Sequence, residues 1–217
     1  MDDSPEGPRW FDSLTWRPYG EHGVLIEVGA LSRVHALYRS VRGSDVVAEC
    51  VPGAETLFIR PSNPALSHSD LLREVIRLAA LPSEPLQGHQ RTHHVDVVYD
   101  GIDLCDVAEL AGLTVADVVR RHCEPTYTVA FLGFSRAFPY LSGLDPLLIV
   151  PRLSSPRPRV PSGSVGMGAG FTGIYPASTP GGWRLLGRTA DVFFDETREP
   201  PSVLAPGDLL RFRAVSS

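Results

Sequence analysis

Lysine is absent. All twenty basic side chains of this 217-residue chain are arginine, which excludes a Schiff-base lysine, a biotin-attachment lysine and the lysine of a phosphate-binding P-loop. A nucleotide would have to be held another way or by a partner. Cysteine is scarce. Cys50, Cys105 and Cys123 are widely spaced and form no CxxC or zinc pattern, which fits reduced thiols in a cytoplasmic protein better than a disulfide framework. No apolar run approaches the ~18 residues of a membrane span. The opening MDDSPEGPRW is acidic and lacks an apolar h-region, so no signal peptide is expected. Basic charge is not in excess. The net charge of −5 leaves no extended footprint for nucleic acid.

Glycine and proline, by contrast, are concentrated in one stretch, Pro151–Gly187, with eight glycines and six prolines. Such density marks either a solvated linker or a tightly turned ordered surface. Val160, Val165, Met167, Phe171, Ile174, Tyr175, Trp183 and Leu185 are spaced through it, and a linker has no use for that much apolar area. The stretch is therefore read as ordered, with short strands at Phe171–Tyr175 and Trp183–Leu186. Arg152, Arg157 and Arg159 lie within eight positions, suiting an anion site or an interface rim. The alternative is a set of β-turns with nothing bound.

Residues 1–16 read as a flexible tail. A buried strand is expected over Gly23–Val28 and a helix over Leu31–Arg42, where Val34, Leu37, Tyr38 and Val41 recur at helical spacing. Val46–Val51 and Thr56–Arg60 read as a hairpin. Asp70–Leu81 reads as a second helix with Leu72, Val75, Ile76 and Ala79 on one face, capped by Ser69 or Asp70 and ended by Pro82. Strand, helix, two strands and helix over 17–84 suggest a ferredoxin-like α+β domain, followed by a linker at 85–92.

Residues 93–217 carry many short strands with Pro/Gly turns, as in a closed barrel or sandwich. Two short helices are expected, Asp103–Ala111 and Thr114–His122, the second opened by a capping-box spacing with Val115, Val118 and Val119 inward. His122 sits at its end, where a protonated ring suits the helix dipole. The other reading turns it toward a pocket. Tyr127–Leu132 and Leu147–Val150 read as strands, as do Val192–Phe194 and Leu209–Val215. Between the first two lies an aromatic loop, Gly133–Gly143, whose Phe134 and Tyr140 can line a concave site or plug a barrel end. His93 and His94 face opposite sides of a strand, and His94 with Asp96 supplies only two ligands, so no metal site is expected. Ser162-Gly-Ser-Val-Gly166 lacks the first glycine of a GxSxG elbow, so Ser162 and Ser164 read as turn residues.

Several motifs in order carry a resemblance: Tyr99-Asp-Gly-Ile-Asp-Leu104, the GF…F-x-Y-L-x-G-L run at Gly133–Leu144, Pro151-Arg152, Val160-Pro-Ser-Gly-Ser-Val-Gly166, Thr172-Gly-Ile-Tyr-Pro176 and Thr179-Pro-Gly-Gly-Trp183. Together they resemble the family of the B-type component of prokaryotic 5-oxoprolinase, also described as allophanate hydrolase subunit 1 and as sporulation-kinase inhibitors, over residues 17–215. The resemblance implies a cyclophilin-like β-barrel at 93–217 and a larger companion with a related barrel (the C-type component of 5-oxoprolinase, or allophanate hydrolase subunit 2). It also implies ATP-dependent opening of a small cyclic amide, with ATP bound by the complex. The developing negative charge would need cationic or N–H donors. On this reading His122 and Arg152 are the catalytic candidates. Arg159, Ser164, Thr172, Tyr175, Phe134 and Tyr140 would bind substrate, and Gly163, Gly166, Gly173, Gly181 and Gly182 would supply turns and backbone N–H groups.

The chain departs from the family pattern at Arg136 and Ala137, where Pro and Gly are usual. Phe171 replaces a glutamine and so removes a donor and an acceptor. Two other functions share the resemblance: inhibition of a sensor histidine kinase through an apolar patch, and a carboxyltransferase half served by biotin carried on another protein.

Overall fold

The alternation in Gly23–Glu27 buries Val24 and Ile26 completely and leaves Glu27 in solvent, the period-two signature of a strand with one face on a core. The structure, a computed structural model, describes residues 14–81 and 90–216. Residues 1–13 of the expected tail and 85–89 of the expected linker lie outside the described residues. The chain divides into two units, up to Gly88 and from His89.

The first unit runs β1 (Thr15–Tyr19), β2 (Gly23–Glu27), α1 (Leu31–Val41), β3 (Val47–Pro52), β4 (Thr56–Pro61) and α2 (His68–Ala80). Its sheet has the order β1-β2-β4-β3, antiparallel throughout. Ile26, Leu37, Ile59, Leu71 and Val75 form the centre of its core. The expected helices are present, with two differences. The cap of α2 is Ser67, whose Oγ accepts the Asp70 N–H at 3.1 Å, so the helix starts two residues early. Its buried residues are Leu71 and Val75. β1 begins at Thr15, inside the stretch expected to be tail. Its residues are mostly exposed around Pro18, which hides an edge strand from a periodicity reading.

The second unit runs β5 (Thr92–Val97), α3 (Leu104–Ala111), α4 (Val115–Cys123), β6 (Tyr127–Gly133), β7 (Phe138–Ser142), β8 (Arg157–Val160), β9 (Ser164–Gly168), β10 (Phe171–Ile174), β11 (Thr179–Gly181), β12 (Arg184–Arg188) and β13 (Leu209–Ala214). β5 starts one residue inside the expected linker. Seven strands form one sheet in the order β12-β9-β10-β7-β6-β13-β5, and β8 pairs with β11 as a separate ribbon. Just beyond β5, Val98 exchanges backbone hydrogen bonds with Arg188, 2.9 Å each way. The two edges of the sheet thereby meet, giving a nearly closed, barrel-like sheet. A closed sheet leaves no open edge for aggregation. Closure requires glycine at two places. A Cβ on Gly187 would run into the Val98 carbonyl, and one on Gly101 into the backbone of Leu185 and Leu186.

Pro151–Gly187 is ordered and holds β8 to β12. Three of those strands escape a composition reading because Pro158, Pro180 and the glycines of β9 carry the wrong propensities; β9 is nevertheless buried along its whole length. Leu147–Val150 is not a strand. Pro146 opens a 3-10 turn over Pro146–Leu148, and Asp145 caps it by accepting the Leu147 N–H at 2.9 Å. Within Val192–Phe194 only Phe194 pairs, in a single bridge with Ser202. The aromatic run after β6 contains a strand, β7. On α4 the capping box holds, with Thr114 accepting the Asp117 N–H, but Val115 faces solvent and the buried residues are Val118 and His122.

Candidate functional site

The aromatic residues after β6 and the glycine pair at the end of β11 build the walls of one cavity. It has a volume of about 380 Å³, within the roughly 300–1,000 Å³ of small-molecule pockets. Phe138, Tyr140, Tyr175 and Trp183 form its aromatic side, with Phe134 at the exposed end. Phe138 stands edge-on to Tyr175 and to Trp183, with ring centroids 4.9 and 5.1 Å apart, and Tyr140 meets Trp183 edge-on at 5.4 Å. These T-shaped contacts fix the ring positions. Arg152, Pro156, Ala169, Pro180, Gly181 and Gly182 complete the lining, which holds no acidic side chain.

The polar groups of this cavity are donors. Among the described residues the Arg152 guanidinium forms no hydrogen bond or ion pair. The Trp183 backbone N–H acts on Tyr175 Oη and pulls its pKa down. Burial raises the pKa of Tyr140 and of Tyr175 above the ordinary tyrosine value, and the nearby Arg152 charge pulls both partly back. Both phenols therefore stay protonated at neutral pH.

One buried carboxylate and a set of backbone hydrogen bonds hold the wall that carries Arg152. Asp103, 3% exposed, accepts Arg157 Nη2 at 2.6 Å and the Leu185 N–H at 2.7 Å. Arg184 Nε donates to the Pro151 carbonyl at 3.0 Å, and Leu153 N–H to the Gly182 carbonyl at 3.0 Å. Arg152 is thus flanked on both sides by backbone tied to β12 and its preceding turn. The Asp103 of the Tyr99–Leu104 motif acts here as a buried anchor.

Of the residues expected at a site, the structure brings together Arg152, Phe134, Tyr140, Tyr175, Gly181 and Gly182. It does not place the others there. Arg159 bonds Ser178 on the exposed side of the β8–β11 ribbon. Ser164 is buried at the start of β9. Gly163, Gly166 and Gly173 lie outside the lining, and Gly166 and Gly173 are partners in the β9–β10 ladder. Thr172 and His122 lie in the core, both 0% exposed.

His122 is fully committed there. Its Nδ1 lies 2.7 Å from Tyr99 Oη and its Nε2 2.8 Å from Thr172 Oγ1, which in turn donates to the Gly166 carbonyl at 3.0 Å. Because the Thr172 proton goes to Gly166, Thr172 accepts from Nε2–H. Nδ1 is then the acceptor and Tyr99 O–H the donor. The ring stacks on Phe212 at 4.5 Å. Burial lowers its pKa from 6.5 to about 3, so the ring is neutral, contrary to the helix-dipole reading, and it is remote from the cavity lining. Isolation in an apolar core also drives Tyr99 well above the ordinary tyrosine range. The residues missed at the sequence level, Trp183 and Phe138 above all, carried a signal: both lie within the family-like motifs, but an aromatic reads as core unless its neighbours are known.

The aromatic, donor-lined cavity draws on a cluster of residues separate from the core of the barrel-like sheet. The model of the carboxyltransferase domain, subdomains C and D, matches residues 14–204, and the chain belongs to that family. It is 38% identical to the B-type component of 5-oxoprolinase from Escherichia coli O157:H7 over 202 residues, 89% of this chain and 92% of that protein. It is 32% identical to the same component from Bacillus subtilis (strain 168) over 218 residues, 94% and 90% of the two chains. Among solved structures, TTHA0988 is 36% identical with a TM-score of 0.77, over 90% of this chain; this chain spans 40% of that one. The K. lactis urea amidolyase, at 20% identity and a TM-score of 0.71 over 94% of this chain and 15% of that one, shares the fold.

Proposed function

We propose that this chain is one component of an ATP-dependent 5-oxoprolinase. It acts in the cytoplasm with a larger barrel-bearing companion, of the C-type 5-oxoprolinase or allophanate hydrolase subunit 2 kind, to open the small cyclic amide 5-oxoproline to glutamate. The observation that carries this reading is the 38% identity to a B-type 5-oxoprolinase component across nine-tenths of both chains. A ring amide is a poor electrophile, and ATP supplies the activation that its carbonyl needs. The residues here do not fit a triphosphate. The cavity offers one uncommitted guanidinium, the chain has no lysine, and Gly166 and Gly173 are engaged in strand pairing. Nucleotide binding is assigned to the companion, and this chain to the substrate through Arg152, Phe134, Tyr140, Tyr175, Gly181 and Gly182.

The second unit is read as a cyclophilin-like barrel domain, with its start moved from 93 to Thr92. The first is read as ferredoxin-like, with its start moved from 17 to Thr15. In it β1 holds the sheet edge that a strand after α2 would otherwise take. The likeness to urea amidolyase concerns the fold alone; with the carboxyltransferase family model it fits the carboxyltransferase alternative as well as the main reading, and no observation favours the kinase-inhibitor alternative. The test is to purify the chain with its companion, supply 5-oxoproline and ATP, and follow glutamate and ADP. Equimolar formation of both is expected. A stable complex that leaves authentic substrate intact overturns the reading.

A further inference from the structure

The cavity is lined by donors without matching acids. Arg152 is unpaired among the described residues, its charge reaches both Tyr140 and Tyr175, and no Asp or Glu side chain lines the space. An exposed arginine far from other groups would mean little. Arg152 is itself exposed, but it is flanked by backbone pinned through Arg184 and Leu153 and lines the same cavity as the aromatic rings. A planar guanidinium fork matches a carboxylate in shape and charge, and a flat apolar ring matches edge-packed aromatics.

The backbone gives a second, independent sign. Among the described residues the non-glycine ones with positive φ are Phe134 (59°), Ala137 (56°) and Ala169 (54°). Phe134 and Ala169 line this cavity, and Ala137 lies in the same turn as Phe134. Left-handed backbone at non-glycine residues costs free energy and clusters where a ligand is held.

We infer that this chain, alone and without nucleotide, binds a small flat ring bearing a single carboxylate, with Arg152 on the carboxylate and the ring against the Tyr140–Trp183 wall. Arg152 is then a specificity-determining residue that reads the acid group. Every lining residue belongs to the second unit, so the inference is made for this chain by itself. The choice of probe rests on the 5-oxoprolinase reading; the geometry does not.

The experiment is calorimetric titration of the full chain with 5-oxoproline and with 2-pyrrolidinone, the same ring without its carboxylate. The wild type should bind 5-oxoproline at least tenfold more tightly. Arg152→Gln, checked for an unchanged melting temperature, should lose at least tenfold in affinity for 5-oxoproline and stay within twofold for 2-pyrrolidinone. Equal affinity for the two compounds overturns the inference. So does an Arg152→Gln variant that weakens both alike, or no heat with either. The outcomes separate from those of the turnover assay. A complex that hydrolyses 5-oxoproline while the chain alone fails to discriminate the acid leaves the proposed function standing and removes this inference. Discrimination by the chain without turnover in the complex does the reverse.

Discussion

His122 and Arg152 belong to the same unit and occupy opposite chemical situations. Around His122 both ring nitrogens have partners within 2.8 Å and the imidazole is fully buried. At Arg152 the guanidinium stands without a partner among the described residues, beside two tyrosines that keep their protons. The first arrangement consumes its hydrogen-bonding capacity internally and the second leaves it available. Satisfied buried networks rigidify a core, whereas uncommitted donors in a concave, aromatic setting wait for an acceptor. Both residues look alike in a sequence, as polar groups that could serve catalysis, and only their surroundings separate them.

The sharpest way to break this contrast is to cut each side. His122→Ala should cost about 4 kcal/mol in a denaturant titration, from lost packing on Phe212 and the loss of the Tyr99 hydroxyl's imidazole acceptor. Arg152→Gln should stay within about 0.5 kcal/mol of wild type in the same assay. If the two swap order, the assignment of structural and binding roles is wrong. Next comes the wall behind the cavity. Asp103→Ala leaves Arg157 uncompensated in a half-buried site and removes the acceptor of the Leu185 N–H. About 3 kcal/mol of stability should be lost, and 5-oxoproline affinity should fall although Asp103 touches no ligand.

Acid supplies a third test. The folded chain holds His122 neutral down to about pH 3, against an ordinary value of 6.5. Below 6.5 the unfolded chain takes up a proton that the folded chain refuses. The contribution is therefore complete above that value and is lost as pH falls from 6.5 toward 3, by up to about 1.4 kcal/mol per unit. Urea midpoints between neutral pH and about pH 5 should show this slope in the wild type and lack it in His122→Asn. The smallest effect is expected at Ala137, whose φ of 56° suits the glycine usual in the family at that place. Ala137→Gly should stabilise by about 0.5–1 kcal/mol, as relief of left-handed strain outweighs the added freedom of the unfolded chain. A loss of stability there would mean that the turn gains more from the methyl group than it loses in strain.

The helices were legible because Val34, Leu37 and Val41, or Leu104, Val107 and Ala108, repeat at helical spacing and because Thr114 caps in a recognisable frame. The aromatic side of the cavity was half legible. Phe134 and Tyr140 stand out in a run rich in rings, whereas Trp183 becomes a site residue only once β12 is seen to bring it against Phe138. β8, β9 and β11 are hidden by proline and glycine. Those residues argue against strands on local preference, and here they are tolerated for close approach and sheet closure. His122 misleads for a related reason. Its position at a helix end suggests charge, and nothing local shows that Phe212, ninety residues further on, covers it.

The position of β13 has a consequence for biogenesis. It lies between β6 and β5, antiparallel to one and parallel to the other, although it comes last in chain order among the described strands. Until Leu209–Ala214 arrives, β5 has no neighbour on that side and Val95 and Val97 lack their cover. Domains generally mature in the order of translation. The first unit can complete itself while the chain is still growing. The second must wait for its closing strand, and its long-range pairing makes it the slower step.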